Sequence, residues 1–126
     1  MKTILAVGAG GAIGASARYL LTQAIMRVNA GGFPWGTFAV NILGSTILGL
    51  LAGLFAHRVT PSPALQAFLV TGILGGFTTF SAFSLDVVTL MERGQGAVAL
   101  AYAALSVILS VAGLYAGLVI ARGVLA

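Results

Sequence analysis

Gly75-Gly76-Phe77-Thr78-Thr79-Phe80-Ser81-Ala82-Phe83 lies in the middle of an apolar segment that runs from Leu65 to Met91. A helix crossing a membrane rarely spends its midpoint on two glycines and two threonines. Glycine costs roughly 1 kcal/mol in a helix interior, and β-branched threonine adds a smaller penalty. The stretch predicts a helix that breaks around Gly75–Thr79 and resumes at Phe80. A break frees carbonyl and N–H groups that lipid cannot satisfy. Such backbone survives at membrane depth only when buried in protein or lining an ion site. Beyond the break, Phe80 and Phe83 are three residues apart and share a helix face. Two readings are open at this point: an ion site, or a Gly/Thr kink packed tightly against a neighbouring helix.

Outward from that stretch, the chain has the composition of a membrane protein. Of its 126 residues 60% are hydrophobic and 6% charged, with a mean hydropathy of +1.12, which no soluble domain of this length matches. A hydrocarbon core of about 30 Å takes about 20 helical residues. Four such stretches fit, at about 3–26, 36–56, 64–92 with its break near 75–79, and 97–121. The expected fold is therefore an all-α integral membrane protein, a single four-helix domain over 1–126. Six bases against two acids give a net charge of +4. The bases sit mostly at helix ends, where they act as topology determinants, so no nucleic-acid partner is implied. Without cysteine there is no disulfide or thiolate metal site. The lone histidine, His57, stands beside Arg58 and reads as a solvated loop residue. No His/Cys/carboxylate cluster offers a zinc or catalytic centre.

The first segment carries two misleading patterns. Gly8-Ala-Gly10-Gly11-Ala-Ile-Gly14 approaches a dinucleotide fingerprint, but Ile13 occupies the third glycine's place and the expected downstream acid is missing. Lys2 and Ala15-Ser16-Ala17 bracket an apolar run as in a signal peptide, yet three further spans follow. Gly10, Gly14 and Arg18 are spaced by four on one face, and small residues there allow close helix approach. Arg18 at span depth costs roughly 2.5–3.5 kcal/mol on insertion scales. Either it snorkels toward the Arg27 end, or it faces protein and takes an acceptor. In the second segment Thr37 and Asn41 are four apart, and Gly44 and Ser45 continue that face. Ser45, Gly49 and Gly53 form a small-residue packing row. Asn41 is an amide at depth and needs a partner helix or a ligand. Trp35 suits the interfacial belt. Thr60-Pro61-Ser62-Pro63 is a helix start signal for the third segment, and Glu92 to Gly96 is the last loop. Asp86, three residues beyond Phe83, either pairs with Arg18 or lies near the water interface. In the fourth segment Tyr102, Ser106 and Ser110 are spaced by four, and Gly113 and Gly117 extend the row.

These polar groups are mostly neutral hydrogen-bond donors. A base, a nucleophile–base pair and a metal-activating cluster are all missing, which argues against an enzyme. A proton-coupled pump requires a titratable residue within the bundle, and only Asp86 is a candidate. Neutral donors in a row suit an anion that accepts hydrogen bonds as it dehydrates. Phenylalanine rings present a weakly positive edge to such an anion. Carbonyls freed at a break suit a small cation.

The chain resembles the Fluc (CrcB) family of fluoride channels over nearly its full length. Three local matches carry the resemblance: Gly10-Gly11-Ala-Ile-Gly14-Ala-Ser-Ala-Arg18-Tyr19, Gly36-Thr37-Phe-Ala-Val-Asn41-Ile-Leu-Gly44, and Gly75-Gly76-Phe77-Thr78-Thr79-Phe80-Ser81-Ala82-Phe83-Ser84. The resemblance implies an antiparallel, dual-topology homodimer in the cell (inner or plasma) membrane with two fluoride pores, exporting cytoplasmic fluoride passively. By position, Phe80 and Phe83 are similar to the family's aromatic fluoride-coordinating residues, and Asn41 to its pore asparagine. Thr37 and Ser81 fall on the implied fluoride pathway. Tyr102, Ser106 and Ser110 fall on the implied polar track. The carbonyls of Gly75 and Thr78, from both subunits, resemble the ligands of a central structural sodium ion. Arg18 and Asp86 are the implied structural or vestibule charges. Two departures stand out: Ala82 replaces a threonine common in the family's run, and Asp86 stands where glutamate is expected. The implied partners are fluoride, a second identical subunit and the lipid bilayer. A small multidrug-resistance-type transporter is the alternative; it matches in size and dual topology, but that family needs a glutamate in its first helix, where this chain has no acid.

Overall fold

The computed structural model describes residues 1–125, and all of its regular elements are helical. Helix α1 covers Lys2–Val28 and α2 covers Trp35–His57. The third span is divided. Its first half, α3 (residues 63–77), is Pro63–Gln66 in α-helix, Ala67–Leu74 in the wider π winding, and Gly75–Phe77 in α-helix again. Its second half, α4, covers Phe80–Glu92, and α5 covers Gly96–Leu125. Four spans, Lys2–Val28, Trp35–His57, Pro63–Glu92 and Gly96–Val124, are long and apolar enough to cross a membrane. Their bounds agree with the sequence reading within a few residues; α1 carries Arg27 into its last turn, where the helix dipole favours a cation. The Ser-Pro signal starts α3: the Ser62 hydroxyl accepts the Leu65 N–H at 3.1 Å, with Pro63 at the first helical position.

The break is narrower than expected. Only Thr78 (φ −89°, ψ 156°) and Thr79 (φ −152°, ψ 122°) leave helical geometry. Gly75 and Gly76 remain helical, so conformational freedom is not their main use. A Cβ on Gly76 would stand 2.8 Å from the Gly11 carbonyl, and one on Gly72 would stand 2.9 Å from the Gly10 Cα. A Cβ on Gly14 would collide with the Ile73 carbonyl, and one on Gly10 with the Phe68 carbonyl. Glycines on both helices thus let α1 and α3 touch backbone to backbone, which is how helices associate where lipid removes the hydrophobic drive. The α2–α5 pair is built the same way: Gly49 packs on the Leu114 carbonyl, Gly53 on Ala121, Gly113 on Thr46, and Gly117 on Gly49 and Leu50. The π winding of Ala67–Leu74 has no counterpart in the sequence signals.

Most large apolar side chains, among them Leu5, Leu20, Leu100, Val111 and Ile120, face outward. This inverts the arrangement of a soluble protein and fits a lipid surround. Connectivity puts the 29–34 and 93–95 loops at one end of the bundle. There Leu90, Ala99 and Tyr102 form a small core with Phe33, Phe38, Phe83 and Val87.

Candidate functional site

The break exposes backbone groups in mid-membrane, and the chain meets them one by one. The Thr78 N–H and hydroxyl both donate to the Leu74 carbonyl, at 2.9 Å each. Thr79 serves as N-cap for α4, its hydroxyl accepting the Ala82 N–H at 3.1 Å. From α2, the Asn41 amide lies edge-on to Thr79. Its Nδ2 donates to the Thr79 carbonyl at 3.0 Å, and its Oδ1 accepts the Thr79 N–H at 2.8 Å. From α1, the Arg18 Nε–H donates to the Gly76 carbonyl at 3.0 Å. An unsatisfied buried polar group costs about 1–3 kcal/mol, so Asn41 holds the extended Thr79 in place and Arg18 satisfies a carbonyl of the last helical turn before the break.

Carbonyls at the break also lose their helical donors, those of Gly75 and Thr78 among them. In an unbroken helix the Thr79 N–H would serve the Gly75 carbonyl and the Ala82 N–H would serve Thr78. Both donors are diverted, to Asn41 and to the Thr79 hydroxyl. Gly75 and Thr78 are the residues whose carbonyls the sequence reading offered to sodium, and both are uncovered to some degree. Among the described residues no cluster of three His, Cys, Asp or Glu side chains is placed to hold a metal.

Beside the break lies a cavity of about 310 Å³ lined by Asn41 and Ser45 of α2, Thr78–Phe80 and Phe83 of the third span, and Ser106, Val107, Ser110 and Val111 of α5. Every lining group is neutral. Phe80 and Phe83 sit side by side, ring centroids 5.4 Å apart and planes tilted by 43°. Phe80 is 77% exposed. The Ser106 hydroxyl is buried and has no hydrogen-bond partner. An amide nitrogen carries two hydrogens, and Asn41 spends one on Thr79. The cavity thus presents unspent N–H and O–H donors and aromatic edges, with no charge to fix an ion in place.

A second polar group lies one turn toward the 29–34 end. The Tyr102 phenol donates to Asp86 Oδ2 at 3.0 Å and interacts with the Thr37 hydroxyl. Asp86 therefore does not reach Arg18, whose acceptor is Gly76. Tyr102 is fully buried. Its ring stands 5.2 Å from Phe83, 5.4 Å from Phe33 and 6.2 Å from Phe38. Trp35 lies 4.5 Å from Phe33, so aromatic contacts run from the membrane edge to the break. Asp86 also lines a second cavity of about 370 Å³ with Asn29, Thr89 and Arg93.

Of the residues singled out in the sequence, Asn41, Thr78, Phe80, Phe83, Ser106 and Ser110 line one cavity. Thr37, Tyr102 and Asp86 form the adjoining cluster. Ser81 is exposed, its hydroxyl 3.4 Å from that of Thr79, and it does not line the cavity. Ser45 lines the cavity too, on the face it continues from Thr37 and Asn41, although it also heads the Ser45-Gly49-Gly53 packing row. Its spacing of four from Asn41 was the available signal.

The sequence model of the CrcB-like protein family (Camphor Resistance, CrcB) matches residues 5–118. Among curated proteins, the chain is 55% identical to a fluoride-specific ion channel FluC of Rhodospirillum centenum, over 97% of each chain. It is 53% identical to a protein of the same name from Cereibacter sphaeroides, over 98% of this chain and 97% of that one. It is 48% identical to another from Rhizobium meliloti, over 97% of this chain and 98% of the relative.

Proposed function

Because the chain belongs to the CrcB-like family, whose members are membrane channels and not enzymes, we propose that this multi-pass cell-membrane protein is a passive channel selective for fluoride. The observation that carries the reading is the buried, unpartnered Ser106 hydroxyl facing a cavity walled by neutral groups. Fluoride is small and strongly hydrated, and it leaves water only for other hydrogen-bond donors. Conduction needs sites favourable enough to enter and weak enough to leave. Neutral hydroxyls, the second Asn41 N–H and the edges of Phe80 and Phe83 meet that condition. A fixed guanidinium would trap the ion. None of the lining residues is acidic, basic or histidine, so nothing there couples the ion to protons. Export follows from ordinary acid–base chemistry. HF crosses lipid from an acidic exterior and dissociates in the more alkaline cytoplasm, and the anion leaves down its own gradient.

The functional unit in this reading is an antiparallel homodimer. The extended residues Thr78 and Thr79 are part-exposed, with Gly75, Phe80 and Ser81 exposed beside them, and lipid-exposed irregular backbone is not tolerated at that depth. A second copy would cover it. Lys2, Arg58 and Arg122 stand at one end of the bundle, Arg27 and Arg93 at the other, a bias small enough for insertion both ways. Antiparallel pairing brings two breaks together. The Gly75 and Thr78 carbonyls of both copies then surround one structural sodium ion, a hard cation suited to oxygen ligands. The test is reconstitution into liposomes loaded with fluoride, with a fluoride electrode outside. Fluoride efflux without comparable chloride efflux supports the channel; no release refutes it. Flux that survives exhaustive exchange of sodium for a large organic cation refutes the sodium site and leaves the channel standing.

A further inference from the structure

We infer that Ser45 coordinates the permeating anion, extending the donor track beyond Ser110 on the opposite wall. The inference rests on the channel reading above. Serine and threonine in an apolar helix ordinarily spend their hydroxyl on the carbonyl four residues back. Thr46 does so to Ile42 at 2.8 Å, Thr78 to Leu74 at 2.9 Å and Ser84 to Phe80 at 2.9 Å. Ser45, Ser106 and Ser110 make no such bond, and all three line the 310 Å³ cavity. Thr46, the next residue on the same helix, faces Gly113 and bonds its own backbone. Ser45 thus lines the cavity with its hydroxyl uncommitted, while its neighbour Thr46 does neither.

The register of α2 against α5 gives the position a purpose. Both helices start at the end bearing the 29–34 and 93–95 loops, so they run parallel. Gly113 meets Thr46, Gly117 meets Gly49, and Gly53 meets Ala121. On that register Asn41 falls between Ser106 and Ser110, and Ser45 falls beyond Ser110. Donors then alternate between the two helices, Ser106, Asn41, Ser110, Ser45, at steps of about 3–5 Å along the axis, two or three residues of helical rise. An ion leaving Ser110 meets a hydroxyl on the facing wall before it loses the one behind.

The experiment measures fluoride efflux from liposomes carrying the full chain or one of four variants: Ser45→Ala, Ser45→Thr, Ser45→Val and Ser16→Ala. Ser16 is exposed on α1 and away from the cavity, so its variant is the control for handling. Loss of one neutral donor is expected to slow efflux roughly 3- to 10-fold in Ser45→Ala. Threonine and valine have nearly the same shape and differ by the hydroxyl. Ser45→Thr should run close to the parent and Ser45→Val should be slowed like Ser45→Ala, whatever the methyl group does to packing. Parental flux in both Ser45→Ala and Ser45→Val overturns the inference, as does a threonine variant as slow as the valine one. If the parent itself releases no fluoride, the channel reading falls and this inference with it. If the parent conducts and Ser45 variants match it, only the role of Ser45 falls.

Discussion

Replacing Asn41 by aspartate separates the two tasks of that side chain. In the parent, Nδ2 donates to the Thr79 carbonyl at 3.0 Å while Oδ1 accepts the Thr79 N–H at 2.8 Å. A carboxylate keeps the second bond and turns the first into an oxygen–oxygen contact. Losing that donor leaves the Thr79 carbonyl unsatisfied at about 1–3 kcal/mol. The negative charge adds a larger effect. With an ion about 5 Å away and an effective dielectric near 20, repulsion is about 3 kcal/mol, on the order of a 100-fold or greater fall in anion passage. Asn41→Ala removes both bonds without adding charge, so it should lower stability more than Asn41→Asp and lower flux less. Fluoride efflux from liposomes and thermal unfolding in detergent read the two effects. Parental flux in Asn41→Asp at neutral pH would refute the placement of Asn41 on the anion path. Unchanged unfolding in Asn41→Ala would refute its part in holding the break.

Phe80→Ile and Phe83→Ile keep bulk and apolarity but remove the ring edge, so fluoride flux should fall sharply while the yield of folded protein holds; parental flux in both would assign the rings to packing alone. Gly14→Ala places a methyl against the Ile73 carbonyl and should destabilise the fold by about 1–3 kcal/mol or more, measured by thermal unfolding. Gly8→Ala, where a Cβ meets nothing within 4 Å, should be neutral, and equal shifts in the two would undo the close-packing account of α1 and α3. Two lysines added to the loop near Arg93 should bias insertion and reduce activity, with recovery on co-expression of an oppositely biased copy; a topology reporter finding one orientation in the unmodified chain would end the dual-topology proposal.

The sequence by itself determined what depends on local composition. Hydropathy over windows of about 20 residues located four spans, and Gly-Gly-Phe-Thr-Thr marked the interruption of the third. The spacing of four placed Thr37 with Asn41, and Tyr102 with Ser106 and Ser110, before any helix was paired with another. Tertiary structure decided what those residues touch. Arg18 had two open readings, and the approach of α1 to α3 gives it the Gly76 carbonyl, while Asp86 turns to Tyr102. Asn41 is committed to Thr79, a residue 38 positions away that no local pattern connects to it. Gly75 and Gly76 looked like the cause of the break, yet Thr78 and Thr79 are the residues that leave the helix, and Gly76 serves close packing. Ser45 reads both as a continuation of the Thr37–Asn41 face and as the head of a packing row, and the structure puts it on the cavity wall. The reason is common to all of these. A helical face is legible from spacing, but the azimuth and axial offset of one helix against another follow from backbone contacts at Gly10, Gly14, Gly49 and Gly117, and a shift of one or two residues there would hand Arg18, Asn41 and Tyr102 different partners.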